Sequence, residues 1–208
     1  MSNPSASNLI VNEAIVDNEW VTVSLPAGAE EAVRKQAGKV VLFKLTGQVT
    51  VTPEQIAGTL IPAHGNVLVP LSVWIARKDE LAERLGKNEL GVWLDTHEVL
   101  ETLTDAEPDL NIFPLIAVHV ERFADGRIFS IGNLLRTRYG YKNELRAFGD
   151  VLRDQLFFLK RSGFNSYLVR ADRSAEDALA SLKDFTQPYQ GAVDTSLPVW
   201  RRLDRSGA

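Results

Sequence analysis

Short runs of β-branched and aromatic residues recur between positions 66 and 170, each followed by helical periodicity. That alternation constrains the fold more than any other feature of the chain. Val67–Leu71 precedes a helical stretch, Ser72–Leu85, that stops at Gly86. Leu90–Leu94 reads as a buried strand, 102–109 as a weak helix or turn, and Pro114–Val120 as a strand apolar enough to be covered on both faces. Ser130 is placed to N-cap a helix to Tyr139, with Gly140 after its end, and Glu144–Phe148 returns as a strand. Asp150 is placed to cap the clearest helix, Val151–Ser162, whose Val151, Leu152, Gln155, Leu156 and Leu159 form one face before Gly163. Ser166–Arg170 is the next strand, and Ser174 to Asp177 has the spacing of a capping box opening a helix to about Asp184.

Strand–helix units of roughly 25 residues predict an α/β chain built on a short parallel (βα) repeat. Such units form either a half-barrel-like array or a small doubly wound sheet, and the pattern alone fits both. The first third differs. Asn18–Val23 and Val40–Leu45 are β-like, Gly47 suggests a hairpin into Val49–Val51, and 30–36 suits a short helix. The expected organisation is a β-rich N-terminal extension over 1–55 with a disordered start, an α/β core domain over 56–195, and a C-terminal tail over 196–208.

Composition removes whole classes of chemistry. With no cysteine, the chain has no disulfide, no thiolate nucleophile and no Cys-ligated cluster or zinc site. Its histidines, His64, His97 and His119, are too widely spaced for a His-rich metal site, so no metal is expected. A redox role would need a bound organic cofactor or a partner carrying the redox centre. No apolar run reaches membrane-spanning length, and Met1–Asn8 is polar without a signal-peptide pattern, so the expected compartment is the cytoplasm with no membrane contact.

Charge is unevenly distributed. Between Arg122 and Arg173 lie nine arginines and two lysines against five carboxylates, although the chain as a whole carries −4. A local cationic segment in an acidic chain predicts an anion-handling edge, and not a nucleic-acid binder. In parallel α/β folds, ligands meet the C-terminal ends of strands and the N-termini of the following helices. That rule gathers Arg122, Asp125, Gly126, Arg127, Asp150, Arg153, Gln155 and Arg170 as candidates for binding an anion or a partner, along with Asp95 and His97 past the strand at 90–94. Arg127 reads either as an anion clamp or as an ion-pair partner of Asp150 or Asp154. His119, alternating with Val118 and Val120, reads as a hydrogen-bonded core residue, and His97 as the better-placed acid–base group. No Ser–His–Asp order, phosphate loop or metal signature stands out, so no catalytic residue is assigned.

The run Phe123-Ala124-Asp125-Gly126-Arg127, the longer run from Gly140 to Phe158, then Arg161-Ser162-Gly163-Phe164 and Tyr189-Gln190 resemble a bacterial family catalogued as domain of unknown function 934. The resemblance covers about 66–194. Members of that family are often labelled probable oxidoreductases of sulfite reduction, so the resemblance implies a role in sulfur assimilation without supplying a site or a cofactor. Two expectations follow. One is an accessory of assimilatory sulfite reduction that docks on sulfite reductase or associated proteins, or binds sulfite, sulfate or a phosphate group, through the arginine-rich edge. The alternative is a (βα)-type enzyme or oxidoreductase gripping a phosphorylated substrate or flavin at the C-terminal strand ends.

Overall fold

The computed structural model describes residues 7–26 and 51–202. The helix at 30–36, the strand at 40–45 and the hairpin at Gly47 lie outside the described residues. Among the described residues eight strands form one sheet. They are β1 (Leu9–Val11), β2 (Ala14–Val16), β3 (Trp20–Thr22), β4 (Asn66–Pro70), β5 (Leu90–Asp95), β6 (Leu115–Val120), β7 (Glu144–Gly149) and β8 (Ser166–Leu168). Their spatial order is β2-β1-β8-β7-β6-β5-β4-β3.

From β3 to β8 every neighbouring pair is parallel and the order follows the chain without reversal. A doubly wound sheet needs a reversal of order, so the curled, half-barrel form is the one adopted. Crossovers of one hand then put the connecting helices on one side. The strands at 9–22 are not separate from this sheet. β1 pairs antiparallel with β8 at one edge, and β3 pairs parallel with β4 at the other.

Among the described residues the helices are α1 (Pro53–Ala57), α2 (Leu71–Ala76), α3 (Lys78–Gly86), α4 (Leu100–Ala106), α5 (Arg127–Thr137), α6 (Arg153–Arg161), α7 (Ala175–Ser181) and α8 (Val199–Arg202). The stretch expected as one helix over 72–85 breaks at Arg77, which leaves helical geometry at φ −123°. Ser130 lies within α5, whose first residue is Arg127, so it caps nothing. Asp150 is not the cap of α6 either, because that helix starts at Arg153 and Gln155 Oε1 accepts from the Leu152 N–H at 3.1 Å. Ser174 does cap α7, accepting from the Asp177 N–H at 3.0 Å.

Alternation along the strands sorts residues onto two faces. Val67, Val69, Val92, Leu94, Ile116, Val118, Leu145, Ala147 and Tyr167 bury against Trp74, Leu103, Ile131, Leu156 and Ala178 from the helices. The opposite, concave face holds a smaller cluster of Leu68, Leu115, Ala117 and Phe148, with Trp20, Trp93 and Leu168 against it. Its polar patch is Arg146, 2% exposed, which donates to Glu144 Oε1 at 2.7 Å, Ser166 Oγ at 3.0 Å and Asn18 Oδ1 at 3.2 Å. Burying a guanidinium is tolerated only with such compensation, and Asn18 ties the N-terminal segment across the concave face.

Gly91 faces the same side, and a Cβ there would stand 2.7 Å from the Leu115 carbonyl oxygen and 3.0 Å from Leu68 Cδ1. Backbone cannot yield as a flexible side chain does. Gly91→Ala is expected to lower stability by about 1–3 kcal/mol, measured as an earlier urea midpoint with unchanged slope.

Candidate functional site

The parallel register from β5 to β7 builds one row across the concave face at the C-terminal strand ends. Asp95 stands opposite His119, and His119 opposite Phe148. Asp95 Oδ1 lies 2.6 Å from His119 Nδ1. The imidazole side chain is 31% exposed, so His119 is not the core residue its sequence surroundings suggest. It points away from the face that buries Val118 and Val120.

Ring contacts and a glycine hold the imidazole in place. Trp93 makes a T-shaped contact at 5.8 Å between ring centroids, and Phe148 lies tilted at 4.9 Å. Gly149 has φ +100°, and a Cβ on it would fall 2.8 Å from His119 Cδ2 and 3.0 Å from Nε2. Only glycine combines that backbone conformation with so close an approach. With the Nδ1 proton donated to Asp95, Nε2 is left as the acceptor, the arrangement that makes imidazole a general base.

These residues open into a cavity of about 440 Å³ whose lining includes Trp93, Asp95, His97, Glu98, His119 and Glu121, with Ser24, Gln55 and Ser72 on other walls. Its size falls in the range of small-molecule sites, about 300–1,000 Å³. Glu98 Oε2 accepts from the Asp95 N–H at 2.7 Å. Burial pushes the Glu98 carboxyl up to about 7, against that hydrogen bond and with added repulsion from Asp95. A carboxyl that titrates near neutrality beside a carboxylate–imidazole pair can give or take a proton.

The residues singled out for anion binding occupy the adjoining rim. Arg127 does not reach Asp150 or Asp154; it forms a fork on Asp125, with Nε to Oδ1 at 2.9 Å and Nη2 to Oδ2 at 2.7 Å. Thr96 Oγ1 donates to the same carboxylate, and Arg127, against the opposing effect of burial, holds Asp125 well below the usual carboxylate range. Gly126 is the residue before α5. Arg170 donates to Asp150 at 2.7 Å and to Asp172 at 2.6 Å, while Asp150 also accepts from the Phe123 N–H at 2.9 Å. Gln155 is buried and donates to the Phe123 carbonyl at 2.9 Å. These contacts stitch the loops after β6, β7 and β8 together.

Arg122 and Arg153 are exposed, and among the described residues neither forms an ion pair. Arg153 lines a separate cavity of about 270 Å³ with Arg173, Asp154 and Asp177. Asp95 ends β5 and His97 lies past it, as their sequence positions suggest, whereas no local pattern marks Glu98 or Trp93. The signal that could have found the pair was register: Asp95 ends one strand and His119 sits one residue before the end of the next. Among the described residues no group of three or more His, Cys, Asp or Glu could hold a metal ion, and no helix is long and apolar enough to cross a membrane.

Residues 91–200 match the family model of a bacterial protein of unknown function, DUF934. The match spans more than half of the chain, which therefore belongs to that family. It covers β5 to α8 and so includes Trp93, Asp95, Glu98 and His119. No curated protein and no solved structure matches the chain.

Two outcomes follow from the electrostatics. Arg127→Ala is expected to cost about 1 kcal/mol at neutral pH, solvent screening at the half-exposed guanidinium limiting the loss. Because the folded-state pKa of Asp125 is depressed, that contribution is present above its unfolded value of about 3.9 and fades only as pH falls through the folded one. Denaturation of both proteins between neutrality and strong acid checks this. Glu98 has the opposite sign: its folded pKa is raised, so stability falls as pH rises from about 4.3, the unfolded value, towards 7. Glu98→Gln is expected to stabilise the protein by about 1–3 kcal/mol at pH 8 and to be nearly neutral at about pH 4.

Proposed function

We propose that this member of the DUF934 family is a (βα)-type enzyme that binds a small polar molecule above β4–β6 and moves a proton there through His119. The observation that carries this reading is the 2.6 Å contact between Asp95 and His119 inside a cavity of ligand size. Asp95 orients the ring and stabilises the imidazolium that forms when Nε2 takes a proton. Glu98 is a second proton-exchanging group within the same cavity. Ser24 and Ser72 line the cavity, but neither hydrogen-bonds the imidazole among the described residues, so the chemistry favoured is proton transfer and not covalent catalysis by a serine. The phosphate- or flavin-gripping version of an enzyme finds less support, because Arg127 and Arg170 are already engaged by aspartates.

A second reading, an accessory of assimilatory sulfite reduction that docks on sulfite reductase or an associated protein, has its own support. Phe158, Phe185, Tyr189 and Trp200 are 52%, 57%, 69% and 45% exposed, with Tyr189 and Trp200 rings 4.9 Å apart. Large exposed aromatics are a common mark of an interaction surface. Exposed Arg122 and Arg153 supply charges for an acidic partner or an anion.

The two readings separate in one preparation from the native host. The enzyme reading expects native mass spectrometry to find a small molecule retained by the wild type and lost from Asp95→Asn. It also expects long-range ¹H–¹⁵N spectra to show the His119 ring in one tautomer at neutral pH, and a tautomer mixture in the variant. A bare chain that co-elutes with sulfite reductase subunits, together with an unordered His119 tautomer in the wild type, would overturn it in favour of docking.

A further inference from the structure

The cavity above β4–β6 differs in electrical character from the arginine-rich segment that borders it. Among its described lining residues are three carboxylates, Asp95, Glu98 and Glu121, two imidazoles, His97 and His119, and no lysine or arginine. The nearby guanidinium of Arg127 is turned onto Asp125, and that of Arg170 onto Asp150 and Asp172. An oxyanion entering here would meet like charge from the described side chains of the walls.

Acceptors are also left open. Asp95 offers Oδ1 to His119, and Glu98 offers Oε2 to the Asp95 N–H. Among the described residues the second oxygen of each carboxylate has no hydrogen-bond partner, and Glu121 stands exposed at the mouth. The aromatic wall adds an independent feature. Trp93 donates its indole N–H to the Val23 carbonyl at 2.9 Å and stands at 85° to Phe148, 5.7 Å between ring centroids. Those contacts hold the indole in place, so a half-buried aromatic side chain stands in the cavity wall in advance of any ligand. A π-face beside carboxylates favours a cation.

We infer that the cavity binds a ligand presenting a positively charged nitrogen, an ammonium or amidinium group, to Asp95, Glu98 and Glu121 beside Trp93. This rests on the acid–base reading of the same cavity and names its substrate class. Ser24, Gln55 and Ser72 provide neutral hydrogen bonds for the rest of the molecule. His119 Nε2 then accepts a proton from the bound cation, or from an atom next to it, and the imidazolium is balanced by Asp95.

The experiment is a ¹⁵N-edited NMR titration of the full chain with putrescine and with tetramethylammonium, against sulfite and ethyl phosphate at equal ionic strength. The expected result is saturable movement of the Trp93 indole N–H and Gly149 amide signals by putrescine. Its apparent affinity should fall by about tenfold or more in the Glu98→Gln, Glu121→Gln double variant. Tetramethylammonium, which has no N–H to donate, should move the indole signal more weakly. Saturation of the same signals by sulfite or ethyl phosphate would overturn the inference, as would putrescine shifts identical in wild type and variant. The His119 tautomer is recorded in the same samples. An ordered tautomer with anion binding sinks only the ligand class, whereas a disordered one sinks the acid–base reading beneath it.

Discussion

The register of the parallel ladder between β5, β6 and β7 is the constraint on which the rest of the molecule depends. Hydrogen bonding places Leu94 opposite Val118 and Asp95 opposite His119, so apolar and polar partners are matched strand by strand. A slip of one residue would carry Val118 to the concave face and His119 into the helix-packed core. The apolar face therefore enforces the position of the polar row. The Asp95–His119 pair needs no dedicated scaffold, because it is held by the burial of Val92, Leu94, Ile116 and Val118 on the other side of the same strands.

The concave face carries a further demand that a flat sheet would not. A complete barrel fills its interior with side chains from every strand, whereas a curled sheet has to cover that face by other means. Here the filling is layered. Leu68, Leu115 and Ala117 make an apolar floor, while Arg146, Glu144 and Ser166 form a hydrogen-bonded patch closed by Asn18. The Trp93–His119–Phe148 row leads to the cavity at the strand ends. A polar residue such as Arg146 inside an otherwise apolar strand thus belongs to the covering of this face, and its partners come from positions as distant in sequence as Asn18.

Legibility in the sequence followed the range of the interaction responsible. Strands β4 to β8 and helices α6 and α7 could be read from runs of β-branched residues and helical periodicity, because those patterns are local. Capping was less legible. Asp150 has the residue type of an N-cap, yet its carboxylate bridges the Phe123 N–H and Arg170, and Gln155 closes the first turn of α6 instead. The choice between half-barrel and doubly wound sheet turned on strand order, which no local pattern encodes. His119 is illegible for a related reason: in a single strand it looks like a polar residue among valines, and only the register with β5 reveals its pairing with Asp95.

The arginine-rich segment teaches a separate lesson about charge. Composition records how many guanidiniums lie between Arg122 and Arg173, but not which of them have acidic partners. Asp125 with Arg127, Glu144 with Arg146 and Arg170 with Asp172 are each two residues apart, and in every case the short spacing lets one side chain fold back on the other. Such pairs engage three of the nine guanidiniums and, through Asp150 and Thr96, connect neighbouring loops at the strand ends. The cationic segment is in this way a stiffening device around the mouth of an acidic cavity. Rigid surroundings are what the proton transfer proposed for Asp95 and His119 would require, since such a step depends on geometry set before a ligand arrives.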